Sequence, residues 1–177
     1  MKQYAHLLNG ASLAGLASFT VFLLFYYLFG ANPLGPIKFL VIAVPTVFYV
    51  FSLKKYRDET LNGIMPFNLT MTPSVLFAFV YASMVSALLY FTMTLLDPGI
   101  LESHILNSLK QMGQTKEMMI DLIGKDRYED TIEEMKNMSA GTLAFSDFFS
   151  KFCTAAVFNL VIAAILRKNQ INHTLDE

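Results

Sequence analysis

One cysteine, three histidines and no tryptophan stand in a chain of 177 residues. A lone cysteine forms no intrachain disulfide and no thiolate metal cage; set in an apolar run, Cys153 reads as a small buried hydrophobe. Charge is scarce too: 15% of the residues are Asp, Glu, Lys or Arg, against about 25% in an ordinary soluble domain. The net charge is -1, and the one compact basic group is Lys54, Lys55 and Arg57, so no nucleic-acid partner is expected. Glycine-rich phosphate loops, zinc-protease helix motifs and nucleophile elbows are missing. His6, His104 and His173 fall near the start, in the middle and in the C-terminal tail, a spread that predicts no shared metal. The expectation is a protein that is not an enzyme and holds no cofactor and no metal.

What is abundant is apolar: 54% of the chain is hydrophobic, with 16 Phe and 8 Tyr. A bilayer-spanning helix needs about 20 mostly apolar residues, and the runs here are long enough. The fold class expected is all-α, a polytopic membrane protein with four transmembrane helices in a single membrane domain, residues 1–177. Span one covers about 8–29; it is longer than a signal-peptide core, lacks a small-x-small cleavage site, and ends at Gly30, Asn32 and Pro33. Span two, 37–53, is short, with Lys38 snorkelling to the interface and Pro45 predicting a kink. Span three, 73–96, starts at Pro73, a favoured first-turn residue, and stops at Asp97, Pro98 and Gly99. Before it, segment 61–72, broken by Gly63 and Pro66, is expected to lie at the interface or to enter and leave from one side. Span four, 143–166, is closed by Arg167 and Lys168.

Cations near span ends set orientation. Both termini in the cytoplasm puts Lys2, Lys54, Lys55, Arg57, Arg167 and Lys168 on one side, and the location implied is a bacterial cytoplasmic (inner) membrane. Segment 97–142 then lies outside, with nine acidic and five basic residues. Ile100, Leu101, His104, Ile105, Leu109 and Met112 recur at steps of three and four, as do Met118, Met119, Leu122 and Ile123, and then Tyr128, Ile132 and Met135. These predict two or three short amphipathic helices broken near Gly113 and Gly124, with apolar faces to bury.

Asp147 and Lys151 are the sharpest candidates. Ionisable groups in a span are costly and are paired or functional, and an acid four residues before a base neutralises itself on one helix face. With Lys38 they form a candidate charge network at the membrane interface, read either as an anchoring ion pair or as a proton or ion site. Small residues four apart, Gly10, Ala14 and Ser18, Ala11 and Gly15, and Ser83 and Ala87, predict close helix packing within or between chains. Asn159 is expected to hydrogen-bond to another helix. Methionines 112, 118, 119, 135 and 138 follow the Leu and Ile stripe and read as adaptable packing rather than as a copper site. Asn68, Asn137 and Asn172 begin Asn-x-Ser/Thr triplets, which matter only on a eukaryotic secretory route.

The polar knot "KKYRDETLNG" comes directly after span two. Lys54, Lys55 and Arg57 suit lipid headgroups, Asp58 and Glu59 pair locally or cap the next segment, and Asn62 and Gly63 offer a turn. Lys54, Lys55, Arg57, Asp58, Asn62 and Gly63 thus form a candidate cytoplasmic patch, either a topology anchor or a docking surface. The stretch "KKYRDETLNGIMPF", the early "NG", Leu34 and Gly35, Asp97 and Pro98, and the four-span layout together resemble the family catalogued as domain of unknown function 4199. That resemblance covers nearly the whole chain and implies a small inner-membrane protein of the Bacteroidota, with no activity or catalytic residue to carry over. The partners expected are the lipid bilayer and other membrane subunits or further copies of the chain. The leading functional expectation is a non-enzymatic accessory or scaffold subunit; its rival is a small oligomeric transporter or channel using Asp147, Lys151 and Lys38.

Overall fold

A computed structural model describes residues 2–30, 34 and 42–167. Lys38, Lys168, Asn172 and His173, and residues 37–41 of the expected second span, lie outside the described residues. Within them the chain is helical: α1 (Ala5–Phe29), α2 (Ala43–Thr60), α3 (Met71–Phe91), α4 (Gly99–Gln114), α5 (Lys116–Ile123), α6 (Lys125–Lys136) and α7 (Ala140–Leu166). A π-helical turn, Thr92–Leu96, prolongs α3.

Three apolar helical stretches are long enough to cross a membrane: Ala5–Phe29, Phe67–Leu96 and Ala140–Leu166. Their most apolar windows are only 22%, 44% and 17% buried within the protein, so most of that surface needs an apolar surrounding that water does not supply. Leu28, Phe51, Leu95, Phe145 and Ile165 are among the large side chains that face outward. The protein is therefore membrane-embedded through three apolar helices.

The expected second span meets a correction. The described helix α2 begins at Ala43 and does not end at Leu53; it continues through Lys54, Lys55, Arg57, Asp58 and Glu59 to Thr60. Only its first 11 residues, 43–53, are free of charge, a length of about 16 Å at 1.5 Å per residue. Pro45 falls in the first turn of the described helix, where a missing N–H costs no hydrogen bond. Span three also starts earlier than expected, its apolar helical stretch running from Phe67. Pro73 does take a first-turn place in α3.

Side-chain pairs fix the alternating directions. Tyr4 stacks on Tyr56 and Tyr27 Oη donates to Asp97 Oδ2 at 2.7 Å. Asn159 Nδ2 donates to the Ser74 carbonyl at 3.2 Å, so α7 runs antiparallel to α3. The starts of α1 and α3 and the ends of α2 and α7 therefore share one end of the bundle, here the terminal end; segment 97–142 covers the other, the capped end. Helix α3 packs most extensively, on α7 and α1, and α1 also packs on α2.

Small residues make these approaches close. Gly10, Ala11, Ala14, Gly15 and Ser18 are all buried on α1. A Cβ on Gly10 would lie 1.9 Å from Ser52 Oγ, and one on Gly15 would lie 2.8 Å from Met84 Cβ. On α3 the expected pair does not pack within the chain: Ser83 is half-buried and Ala87 exposed. The packed register is Ser74, Ala78, Ala82 and Ser86, one residue earlier at each step, so Ala87 is turned towards the exterior.

In the capping segment the break near Gly124 is present, with φ 84, but Gly113 sits inside α4 and the first break falls at Thr115. Nothing crowds Gly113, and one glycine costs a helix only about 1 kcal/mol. Asp97 launches α4 by accepting the Gly99 N–H at 3.0 Å. Helix α7 begins earlier than the expected fourth span, at Ala140, because Ser139 caps it by accepting the Thr142 N–H at 3.1 Å.

Candidate functional site

Seven residues into α7, about 10 Å along its axis from Ala140, Asp147 and Lys151 form an ion pair between Oδ1 and Nζ. Their side chains are 9% and 22% exposed. Asp147 Oδ2 is held by the Ser86 hydroxyl of α3, which donates at 2.9 Å. The pair is therefore fastened to a neighbouring helix, as a membrane-embedded charge requires if it is not to be left desolvated and unbonded.

This pair lines a cavity of about 260 Å³ between the capped-end halves of the long helices. Helix α7 contributes a polar stripe, Ser146, Asp147, Ser150, Lys151 and Thr154, ending at Asn159. These positions step by three and four and so share one helix face. Thr46 enters from α2, Ser18 and Phe22 from α1, Tyr81 and Val85 from α3, and His104 from α4. Among the described residues α2 meets α7 over a much shorter length than α1 or α7 meets α3. The Ser18 hydroxyl is buried at 1% exposure without a hydrogen-bond partner; the Tyr81 hydroxyl stands close by.

His104 was not among the expected site residues, yet the structure brings it to the cavity wall. Burial lowers its pKa from the ordinary 6.5, and the nearby Asp147 carboxylate partly opposes that shift. The signals available in the sequence were the hydroxyls at 146, 150 and 154 interleaved with Asp147 and Lys151. The place of His104 needs the fold of α4 back over α7, which no local pattern encodes. Lys38, expected to join the pair, lies outside the described residues. Asn159 seals the inner end of the cavity from its place beside Ser74, whose Oγ lies 2.6 Å from Tyr49 Oη.

The second candidate lies at the terminal end and does not adjoin this cavity. Lys54, Lys55, Asp58 and Asn62 are exposed, Arg57 and Gly63 half-buried. Arg57 Nε donates to Asp58 Oδ1 at 2.7 Å; Glu59 lies 3.8 Å from Lys55 and 2.8 Å from His6 of α1. Such exposed pairs contribute about 0–1 kcal/mol each. Asp58 and Glu59 belong to α2 rather than to the turn, which is confined to Leu61–Gly63: Asn62 and Gly63 take positive φ values of 52 and 82, and the Gly63 N–H reaches the Arg57 carbonyl at 2.9 Å. The chain then drops Met65, fully buried, against the core and turns once at Phe67–Leu69 into α3.

Among the described residues no group of three or more His, Cys, Asp or Glu side chains has the arrangement of a metal site. Cys153 is exposed on α7, not buried as expected. Asn68 is exposed beside the terminal end and Asn137 ends α6.

The sequence profile of the family described as "Protein of unknown function (DUF4199)" matches residues 10–168. The chain belongs to the DUF4199 family. The matched stretch takes in the whole cavity wall, from Ser18 to Asn159, so the DUF4199 match and the bundle that builds the cavity cover the same part of the chain. No curated protein matches the sequence, and no solved structure matches the fold.

Proposed function

We propose that this protein is a small membrane transporter whose solute site is the cavity around Asp147 and Lys151. The observation that carries the reading is the bonded pair Asp147–Lys151, tied to Ser86 and facing a cavity of about 260 Å³ inside an apolar bundle. A charge pair serving only as an interfacial anchor would face headgroups; this one faces a partly open concavity lined by hydroxyls. Sites of this kind, concave and with a few convergent polar groups, are the usual form of small-molecule binding, and ionisable groups inside a span mark solute and proton pathways.

In this reading α2 is the fourth span, supported by its antiparallel course beside α1 at Gly10 and Ser52. The membrane is a bacterial inner membrane with both termini cytoplasmic, supported by Lys54, Lys55, Arg57 and Arg167 gathered at the terminal end. The cavity then opens toward the outer face. The site lies within one chain and needs no axis of symmetry, unlike an oligomeric pore.

The test is flux in proteoliposomes for protons, glycine, β-alanine and glycerol. The reading expects the wild type to exceed empty liposomes for at least one of these, with the excess lost in Asp147→Asn. Equal or absent flux in both proteins rejects it.

A second reading, an accessory subunit that docks through the capping helices, is favoured by Leu106, Met118 and Leu122, which are exposed on α4 and α5. Its observable is a stable heteromeric partner in a native pull-down of the full chain.

A further inference from the structure

The cavity's charge balance points to a ligand class, an inference that rests on the reading of this cavity as a binding site. Among the described residues Asp147 and Lys151 are the charged pair on its wall, and their charges cancel. A ligand with a net charge would bring an uncompensated charge among apolar helices, which is strongly unfavourable. An entirely uncharged ligand would leave the two charges engaged only with each other and with Ser86. We infer that the cavity binds a net-neutral zwitterion, its ammonium on Asp147 and its anionic group on Lys151.

Bonding capacity supports this. A carboxylate offers about four acceptor sites, of which Lys151 and Ser86 take two at Asp147. An ammonium has three N–H donors, and Asp147 takes one from Lys151. Both groups therefore keep bonding capacity facing the cavity while the existing bonds stay in place, and a zwitterion saturates both at once. Ser150 and Thr154 flank Lys151 on the same stripe, where their hydroxyls suit the oxygens of a carboxylate or phosphate. The Ser18 hydroxyl, buried on the opposite wall beside the Tyr81 hydroxyl, supplies a further polar contact. Phe22 and Val85 give apolar surface for a short carbon skeleton. The volume, about 260 Å³, is near the lower end of small-molecule sites, roughly 300–1,000 Å³, which sets the ligand at the size of an amino acid or a lipid headgroup.

Two sources provide this chemistry. A free zwitterion enters from the capped end past His104; a zwitterionic lipid enters its headgroup between α2 and α7, where helix contact is short. Native mass spectrometry of the full chain in detergent separates them. The probes are glycerophosphoethanolamine and phosphatidylethanolamine, with glycerophosphoglycerol and phosphatidylglycerol as comparators of similar size bearing one net negative charge. An adduct with glycerophosphoethanolamine assigns the free source, and one with phosphatidylethanolamine alone assigns the lipid source. In either case occupancy exceeds that of the anionic comparator at least fivefold. Occupancy falls at least tenfold in the doubly neutralised Asp147→Asn/Lys151→Met, and likewise in Ser150→Leu, which fills the cavity and leaves the pair intact. Failure of both zwitterions to bind the folded wild type overturns the inference, as does equal or stronger binding of the anionic comparators, or full binding by the variants. Flux of another solute would then leave the transporter reading standing; zwitterion binding without flux would remove the transporter reading and keep the site.

Discussion

Lys151 pairs with a carboxylate only 9% exposed, so each side chain compensates the charge of the other. Removing one strands a charge in a poorly solvated place, at a cost of about 3 kcal/mol. Lys151→Met should therefore lower thermal stability in detergent sharply, whereas Asp147→Asn/Lys151→Met should lose less than the sum of the two single changes, a coupling that a double-mutant cycle measures. At His104 the sign is fixed by burial, which disfavours imidazolium and places the folded-state pKa below 6.5. Above 6.5 the ring is neutral in both states, and its contribution is fully present. As pH falls through 6.5 the unfolded chain takes up the proton first, and stability is lost towards the folded-state pKa. The difference in Tm between wild type and His104→Gln should thus change on acidification below about 6.5 and be flat above it. The ion pair was legible in the sequence because Asp and Lys four apart in an apolar run admit few other arrangements. His104 was not, because its neighbours lie more than 40 residues away along α7.

Helices α1, α3 and α7 were legible as elements, since their length and near-absence of charge suffice. Their contacts were legible only in part. The α1 stripe Gly10, Ala14 and Ser18 packs as its spacing implies, but on α3 two small-residue registers compete. Tertiary packing selects Ser74, Ala78, Ala82 and Ser86 over Ser83 and Ala87, a choice that depends on the partner helices. The end of α2 was misplaced because charge marks the edge of lipid, not the end of a helix. Lys54 to Thr60 leave the apolar run yet keep helical geometry until Asn62 and Gly63 take positive φ. Two glycines separate packing from propensity. Gly15→Ala meets the Met84 Cβ, which no rotamer change removes, and should cost about 1–3 kcal/mol. Gly113→Ala meets nothing within 4 Å in the last turn of α4, and should stabilise by about 0.5–1 kcal/mol. Thermal unfolding of the full chain in one detergent compares the two directly.

At the scale of the whole molecule, an apolar bundle surrounds a polar interior at one end only. Near the terminal end the helices close tightly around Tyr49, Leu53 and Phe77; towards the capped end lies the space lined by Ser146, Ser150 and Thr154. Composition indicated a membrane protein, but an internal cavity is a property of how four helices diverge, and single-chain periodicity carries no record of that. The central claim is that this cavity is wet and reached from the capped end, and thiol accessibility tests it most directly. In a Cys153→Ser background, Ser150→Cys places a thiol on the cavity wall, and Phe149→Cys places one on the same helix turn at an exposed position off that wall. Labelling of oriented proteoliposomes with a charged, membrane-impermeant methanethiosulfonate should modify Ser150→Cys at least tenfold faster than Phe149→Cys, and only from the side that carries segment 97–142. Equal slow labelling at both positions, or labelling of Ser150→Cys from the terminal side alone, would contradict the account.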